Sequence, residues 1–198
     1  MKHKVSATLG LIIVMMSPLA ISRVDAQTVA PGPYYANPSW DQTLACTALA
    51  NCPRFIVLSN MNSEAVLDRE TGLVWERSPS TSQFLFANEQ ATLHCNTLAL
   101  GNRRGWRLPS LQELASLVDA DPANTNSPRL PPGHPFQNIQ SGMDAAYWSA
   151  NQAGFGNGIV GTQFAWGVFM GNGFSFTDAA LDPHFVWCVH GGKGLDIQ

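Results

Sequence analysis

A segment rich in glycine and amides between residues 148 and 166 carries side chains that suit the binding of a sugar. Trp148 and Trp166 frame this segment, and Asn151, Asn157 and Gln163 lie between them. An indole face packs on the apolar side of a pyranose ring, and amides both donate hydrogen bonds to hydroxyls and accept them. We therefore predict a ligand-binding surface at these five residues. The alternatives are that the tryptophans belong to the core and that the glycines only permit tight turns.

The basic residues of this sequence cluster at one place, where Arg103 and Arg104 precede Arg107. Guanidinium groups bind sulfate and carboxylate bidentately, so this cluster could serve an acidic glycan. An internal ion pair of Arg107 with Glu113 or Asp119 is the competing interpretation. For Arg103 and Arg104 the competing interpretation is a solvated loop tip.

Oxygen ligands are crowded at Asp119, Asp121, Asn124 and Asn126, a pattern that could suit Ca²⁺. The spacing fits no EF-hand loop, and Asx turns at the end of a helix explain it better. We therefore predict no metal site and no cofactor.

Histidines provide the candidate bases for catalysis, at His94, His134, His184 and His190. The sequence contains no G-x-S-x-G elbow, no H-E-x-x-H helix and no glycine loop of the phosphate-binding kind. No residue is indicated as a nucleophile, so we predict that the protein is not an enzyme.

The first 26 residues have the pattern of an export signal. Two lysines in residues 1–4 precede an apolar run over residues 7–21, and small residues at Val24 and Ala26 suit a signal peptidase. We predict cleavage before Gln27 and a secreted, periplasmic or cell-surface protein. An uncleaved anchor is the alternative, but the run is interrupted by Pro18 and is shorter than the ~20 residues a spanning helix needs. No membrane insertion is expected after the signal is removed.

Charge argues against nucleic acid as a partner. The chain has 11 Lys and Arg against 14 Asp and Glu, a net charge of −3. Without residues 1–26, 8 basic and 13 acidic residues remain, which is a net charge of −5. Binding to a phosphate backbone requires a cationic surface, so this balance excludes nucleic acid and weakens the case for any polyanion.

Four cysteines, at Cys46, Cys52, Cys95 and Cys188, are an even number in a chain expected to enter an oxidising compartment. Three pairings are possible, and we favour Cys46–Cys52 together with Cys95–Cys188. A zinc site is the alternative, but the spacing contains no C-x-x-C pair.

The order of predicted elements indicates an α+β fold in one domain. Strands are predicted over residues 54–58, 65–68 and 73–76, with Gly72 supplying the positive φ of a turn. Later strands are predicted over residues 147–150, 163–170, 174–177 and 185–189, with a hairpin turn at 171–173. The proline-rich stretch 119–141 is predicted to be a long ordered loop. We divide the chain into a signal peptide (1–26), an extended arm (27–53), a domain (54–192) and a tail (193–198).

Two helices are predicted between these groups of strands. The first has a possible capping box at Ser80 and Gln83, continues through apolar residues at helical spacing, and ends at Gly101. The second has Ser110 as its cap and Glu113 three residues later.

Four motifs together closely resemble one family. They are AVLDRETGLVWER at 65–77, GWRLPS at 105–110, YWSA at 147–150 and VWCVHGG at 186–192. In this order they resemble the exported bacterial family once called DUF1566, now grouped with the C-terminal domain of a Legionella collagen-like adhesin. The resemblance implies a C-type-lectin-like fold, similar to formylglycine-generating enzymes, with an antiparallel sheet, two helices and long loops. It also implies a bridge equivalent to Cys95–Cys188.

The resemblance further implies adhesion, since the adhesin domain for which the family is named binds sulfated glycosaminoglycans. This chain differs in having His190 where the family has arginine, and it has no collagen-like repeat upstream. Our sequence-based prediction is an exported, non-catalytic module that binds a glycan or a cell-surface protein. A structural envelope or matrix domain without a small ligand is the alternative, and an enzyme is the third hypothesis.

Overall fold

The computed structural model describes residues 29–30, 53–142, 145–155 and 163–191. The predicted signal peptide, most of the predicted arm, Cys46, Cys52, Asn157 and the 193–198 tail lie outside the described residues. Within the described parts of the chain, no helix is long and apolar enough to cross a membrane.

The described residues form eleven strands and two α-helices. The strands are β1 (Val29–Ala30), β2 (Phe55–Leu58), β3 (Ala65–Asp68), β4 (Val74–Glu76), β5 (Phe84–Leu85), β6 (Trp106–Arg107), β7 (Ala146–Phe155), β8 (Gln163–Phe169), β9 (Ser175–Ala179), β10 (Pro183–His184) and β11 (Val189–His190). The helices are α1 (Gln90–Thr97) and α2 (Leu111–Ala115). The predicted α+β class is confirmed.

The largest sheet has six strands in the order β1-β2-β3-β4-β11-β6. Strand β1 pairs with β2 in parallel, and the other neighbours are antiparallel. The last strand of the described chain, β11, lies inside this sheet, where Val189 is opposite Trp75 of β4 and Arg107 of β6. Strands β7, β8 and β9 form a second, antiparallel sheet, and β5 pairs with β10.

Two hydrophobic clusters lie on the two faces of the six-stranded sheet, because alternate residues of a strand point to opposite faces. The first core contains Phe55, Val57, Val66, Leu73, Trp75, Leu114, Leu117, Leu130, Phe136, Tyr147, Val168, Met170, Trp187 and Val189. The second core contains Ile56, Leu58, Met61, Ala65, Leu67, Val74, Ala91, Cys95, Trp106, Leu108, Trp148, Ala165, Val186 and Cys188. Strands β2 to β4 are therefore apolar on both sides.

The turn between β3 and β4 forms as the sequence predicts. Gly72 has a φ of 71°, which is the left-handed region that favours glycine. The buried carboxylate of Asp68 accepts hydrogen bonds from the Glu70 amide at 3.0 Å and the Thr71 hydroxyl at 2.9 Å. Arg54 pairs with the same carboxylate at 2.8 Å, so its charge is compensated inside the protein.

A disulfide bond joins Cys95 of α1 to Cys188, the residue before β11, with a Cα–Cα distance of 5.4 Å. This confirms the predicted pairing and the connection of the first helix to the last strand. Both sulfurs lie in the second core. The bridge therefore holds α1 against the six-stranded sheet.

The predicted start of the first helix is wrong. Ser80 and Gln83 form no capping box; the chain instead makes β5 and a 3-10 turn over Ala87–Glu89 before α1 begins at Gln90. Phe84 and Leu85 pair with β10, whose residues lie about 100 positions further along the chain. This long-range pairing replaces the first two turns of the predicted helix, because strand pairing with β10 and helical hydrogen bonding need the same backbone groups.

The second helix forms at the predicted cap. The Ser110 side chain accepts from the Glu113 amide at 3.2 Å, and the Glu113 carboxylate accepts from the Ser110 amide at 2.8 Å. Residues 119–141 contain no helix or strand, as predicted, and they contribute Leu130 and Phe136 to the first core.

Candidate functional site

A cavity of about 560 Å³ opens where α1, the β6–α2 connection and the β7–β8 hairpin meet. Its volume is in the usual range for small-molecule sites. The described residues that line it are Phe86, Asn88, Glu89, Thr92, Arg107, Leu108, Ser110, Ala150, Gln152 and Gln163. We call this cavity the polar pocket.

The polar pocket combines one partly exposed aromatic ring with uncharged hydrogen-bonding groups. The Phe86 ring meets Trp148 edge-to-face, with 5.6 Å between ring centroids. No side-chain hydrogen bond joins Asn88, Gln152 or Gln163 to another described residue, and the same is true of the Thr92 side chain. These donors and acceptors are therefore available to a bound molecule.

An internal ion pair occupies the arginine of the polar pocket. The two terminal nitrogens of Arg107 donate to the Glu113 carboxylate at 2.8 and 2.7 Å, and also to the carbonyls of Leu108 and Gly191. This confirms the interpretation of Arg107 as an internal partner, and it identifies Glu113 rather than Asp119 as the acid. Burial raises the pKa of Glu113, but the hydrogen bonds from Arg107 and Ser110 outweigh it and leave that pKa below its usual value.

The backbone before α1 takes an uncommon conformation beside the polar pocket. Asn88 and Glu89 have φ values of 57° and 59°, in the left-handed region that few residues with a Cβ adopt. Asparagine tolerates this region, whereas for glutamate it is strained. Such strain is concentrated at functional sites in proteins, and here it sets the direction in which the Glu89 side chain leaves the backbone.

A β-bulge in β7 connects the second sheet to α2 at the edge of the polar pocket. The pairing of β7 with β8 shifts between Trp148 and Gln152. Within the bulge, the Ala150 amide donates to the Pro109 carbonyl at 2.7 Å, and the Asn151 side-chain oxygen accepts from the Leu111 amide at 2.7 Å. Bulges re-aim side chains next to binding sites, and this one holds Ala150 and Gln152 beside the start of α2.

Of the predicted site residues, Trp148 lies fully buried in the second core. Its indole nitrogen donates to the Phe84 carbonyl at 3.0 Å, and its ring packs against Phe86, Phe176 and His184. Its contact with Phe86 therefore links it to the polar pocket through a ring that lines the pocket, while its own faces are covered by neighbouring side chains.

Gln163 lines the polar pocket, but Trp166 belongs to the other face of β8. Gln163 shares its face with Ala165 of the second core, and Trp166 shares the opposite face with Val168 of the first core. Trp166 is partly exposed. Asn151 lies at the edge of the pocket with its side-chain oxygen bonded to α2. Of these three residues, Gln163 lines the polar pocket, Asn151 lies next to it with its side chain bonded to α2, and Trp166 lies on the opposite face of β8.

The remaining basic residues of the cluster lie at the surface. Arg103 and Arg104 are exposed, in agreement with a solvated loop. The Arg104 carbonyl is 3.1 Å from Nε2 of His190, whose ring meets Trp106 edge-to-face. Partial burial lowers the pKa of His190. His190 therefore packs locally against the loop that contains Arg104.

The acidic and amide cluster forms successive Asx turns. Asp119 accepts from the Asp121 amide at 3.0 Å, Asp121 from the Ala123 amide at 2.9 Å, and Asn124 from the Asn126 amide at 2.9 Å. These bonds confirm the turn interpretation. Among the described residues, no group of three or more His, Cys, Asp or Glu side chains has an arrangement that could hold a metal ion.

One histidine meets a carboxylate, but outside the polar pocket. Nε2 of His184 is 3.0 Å from the Asp178 carboxylate, and the His184 ring packs between Trp148 and Phe176. None of the described lining residues of the polar pocket is a histidine or a cysteine. This pair is therefore part of the packing around Trp148.

Sequence reasoning missed Phe86, Asn88, Glu89, Thr92 and Gln152. They come from chain segments that only the folded sheets bring together, so no local spacing marks them as one site. The adjacent pair Asn88 and Glu89 is the nearest to a signal, since asparagine is common in the left-handed region.

Fold and site together define a class: a disulfide-linked α+β domain with an amide-rich polar pocket on its surface. The family model described as the Lcl C-terminal domain matches residues 64–190. The chain belongs to the Lcl C-terminal domain family, which confirms the resemblance seen in its sequence motifs. No curated protein matches the chain.

Proposed function

We propose that the protein is an exported, non-catalytic binding module that holds a glycan in the polar pocket. The glycan would be free or part of a cell-surface or matrix component. The observation that carries this proposal is the composition of the polar pocket, in which the Phe86 ring lies among amide and hydroxyl groups without partners in the described protein. Sugars are bound by this combination of an aromatic face and planar hydrogen-bonding side chains.

Two further observations support the proposal. Membership of the Lcl C-terminal domain family favours an adhesin-like role at a surface. Arg107 and Glu113 bind each other at the pocket, and Arg107 also donates to backbone carbonyls. These contacts suit a structural role for the pair better than a role in proton transfer. We also propose that the domain has the C-type-lectin-like fold that the family resemblance implies.

Titration with a panel of neutral and acidic oligosaccharides, followed by chemical-shift mapping, tests this function. Gln152→Ala and Gln163→Ala each remove one side chain of the polar pocket, and we expect each to weaken binding about threefold to tenfold, the effect of one lost hydrogen bond. Gln112→Ala is the matched control, because Gln112 is an exposed glutamine on α2 that does not line the pocket.

The proposal fails if no sugar shifts the resonances of Phe86, Thr92 or Gln163 at millimolar concentration. It also fails if sugars bind but the three variants lose affinity equally. All three must melt within a few degrees of the wild type, so that loss of folding is separated from loss of contacts.

A structural envelope or matrix domain is the second candidate, and the burial of the tryptophans favours it. Trp75, Trp106, Trp148 and Trp187 are each at most 1% exposed, which is what a purely structural domain predicts. Trp166 is the exception among the described tryptophans, since it is partly exposed. Failure of the titration above is the result that this candidate predicts.

A further inference from the structure

Glu89 and Arg107 are the charged residues among the described residues that line the polar pocket. We propose that the pocket selects uncharged saccharides over sulfated or carboxylated ones. This inference rests on the proposed function, because it names the ligand class of the same pocket.

An anionic sugar would need a cationic side chain in the pocket, but the charge of Arg107 is already neutralised by Glu113. Arg107 is the only basic residue among the described lining residues, and Glu113 binds both of its terminal nitrogens. The Arg107 and Glu113 side chains are only 21% and 18% exposed. A sulfate could bind this arginine only by displacing the Glu113 carboxylate. The Glu113 charge would then lose its partner at a partly buried position.

That displacement would also disturb one half of the capping box of α2. The Glu113 carboxylate accepts from the Ser110 amide at 2.8 Å, and it is one half of the capping box. The Arg107 side chain is anchored at the same time to the Gly191 carbonyl at 2.7 Å, just beyond β11. Binding an anion at Arg107 would therefore compete with the structural contacts of Arg107 and Glu113, whereas binding an uncharged sugar beside them leaves these contacts in place.

Glu89 adds a negative charge at the polar pocket. Its side chain is exposed, it lines the cavity, and no described residue forms an ion pair with it. The left-handed backbone at Glu89 holds this carboxylate beside Asn88 and the start of α1. An approaching sulfate meets repulsion from this carboxylate, while a hydroxyl finds in it a strong acceptor.

The uncharged side chains complete the match. Asn88, Thr92, Gln152 and Gln163 each offer a donor and an acceptor, which is the pattern that a ring of sugar hydroxyls can satisfy. A sulfate offers acceptors only, so it would leave the acceptor oxygens of these groups without partners.

The experiment compares matched pairs of ligands on the full mature protein. Cellobiose, lactose and chitobiose are each titrated beside the same disaccharide carrying one sulfate, at low and at physiological salt. We expect the neutral member to bind more tightly by about fivefold at low salt, the factor for two unit charges a few ångström apart in water, and salt to reduce this difference.

Two variants with the same change of charge locate the effect. Glu89→Gln is expected to narrow the ratio of the neutral-sugar affinity to the sulfated-sugar affinity about fivefold, because it removes the carboxylate that repels the sulfate. Asp182→Asn is the control, because Asp182 is an exposed acid in the turn after β9 and does not line the pocket. It should leave the ratio unchanged.

The outcomes separate this inference from the proposed function. Tighter binding of the sulfated sugar with shifts at Phe86 and Gln163 overturns the selectivity and leaves the function intact. Equal effects of Glu89→Gln and Asp182→Asn overturn the role of Glu89. Sulfated-sugar shifts confined to Arg103 and Arg104 overturn the choice of pocket, and the absence of any sugar binding overturns the proposed function itself.

Discussion

Glu76 is a carboxylic acid in the protein interior, with 5% of its surface exposed. Burial raises the pKa of Glu76 to about 7, and a hydrogen bond from the Cys188 amide at 3.3 Å only partly opposes this shift. Its backbone carbonyl also accepts from the indole nitrogen of Trp187 at 2.8 Å. One residue thus joins β4 to the segment that enters β11, and its protonation state is linked to folding.

We predict that Glu76 contributes a fall in the free energy of unfolding as pH rises from about 4.5 to 7, opposed by the rise that the lowered pKa values of His94, His134 and His190 contribute. In this interval the folded protein keeps the Glu76 proton, whereas the unfolded chain, with a pKa near 4.5, has released it. The group therefore contributes its full stability below pH 4.5 and loses about 3 kcal/mol by neutral pH. Urea unfolding as a function of pH measures this slope.

Glu76→Gln is the variant that isolates this effect. It keeps an oxygen for the Cys188 amide and removes the titration, so we expect a flatter pH profile and a more stable protein at pH 8. Asp182→Asn, which neutralises an exposed acid, is the control. A profile with the same slope in Glu76→Gln and the wild type would show that another group is responsible.

At the scale of elements, the sequence correctly predicted those features that depend only on residues close together in the chain. The capping box of α2 needs only Ser110 and Glu113, three residues apart, and it forms as the sequence indicates. The turn at Gly72 is similarly local. By contrast, α1 begins ten residues after the predicted cap at Ser80, because Phe84 and Leu85 pair with β10. Sequence spacing cannot show a partner that lies about 100 residues away.

The same difference between local and long-range contacts explains which residues of the polar pocket could be predicted from the sequence. Gln163 was predicted and lines the polar pocket, whereas Trp166 was grouped with it although a strand sends the two side chains to opposite faces. Glu89 could not be predicted as a site residue, because its place at the polar pocket depends on β6, β7 and β8, which provide other lining residues of the same cavity. The charge balance of the sequence points in the same direction as the ligand preference that we propose, since a net charge of −3 disfavours polyanions.

The disulfide between α1 and the residue before β11 carries a prediction about stability. The Cys95–Cys188 bridge spans 93 residues of sequence, so reduction releases a large entropy in the unfolded chain. We expect the double variant Cys95→Ser with Cys188→Ser to lose about 2 to 5 kcal/mol in urea unfolding.

The matched comparison is Cys46→Ser with Cys52→Ser, whose predicted bridge closes a loop of about seven residues and should contribute on the order of 2 kcal/mol. A larger loss from the 46/52 double variant would contradict the prediction. Non-reducing peptide mapping of the wild type first tests whether Cys46 is linked to Cys52.

At the scale of the whole molecule, the six-stranded sheet separates two hydrophobic cores. Each core contains residues from both the beginning and the end of the domain. Phe55 and Trp187 lie in the first core, and Leu58 and Cys188 lie in the second. The α+β class followed from the order of predicted strands and helices. The position of β11 between β4 and β6 did not, because sequence order does not specify the order of strands in a sheet.

We predict that the exported product begins at Gln27, since Val24 and Ala26 precede it at the positions that a signal peptidase recognises. Mass spectrometry of the protein from periplasm or medium measures the N-terminus. Ala26→Tyr places a large residue at the cleavage site and should cause the precursor to accumulate. Wild-type protein that retains Met1 in a membrane fraction would refute the prediction.

The central place of β11 has a consequence for the time at which the domain can fold. During synthesis β4 and β6 emerge from the ribosome long before residues 189 and 190, yet these residues provide the hydrogen bonds on the facing edges of both strands. A nascent chain that ends before residue 186 has a gap in its sheet, and it lacks Trp187 in one core and Cys188 in the other. Pairing on the facing edges of β4 and β6 must therefore wait until residues 189 and 190 have been made, and until then the backbone groups on those two edges have no partner strand between them.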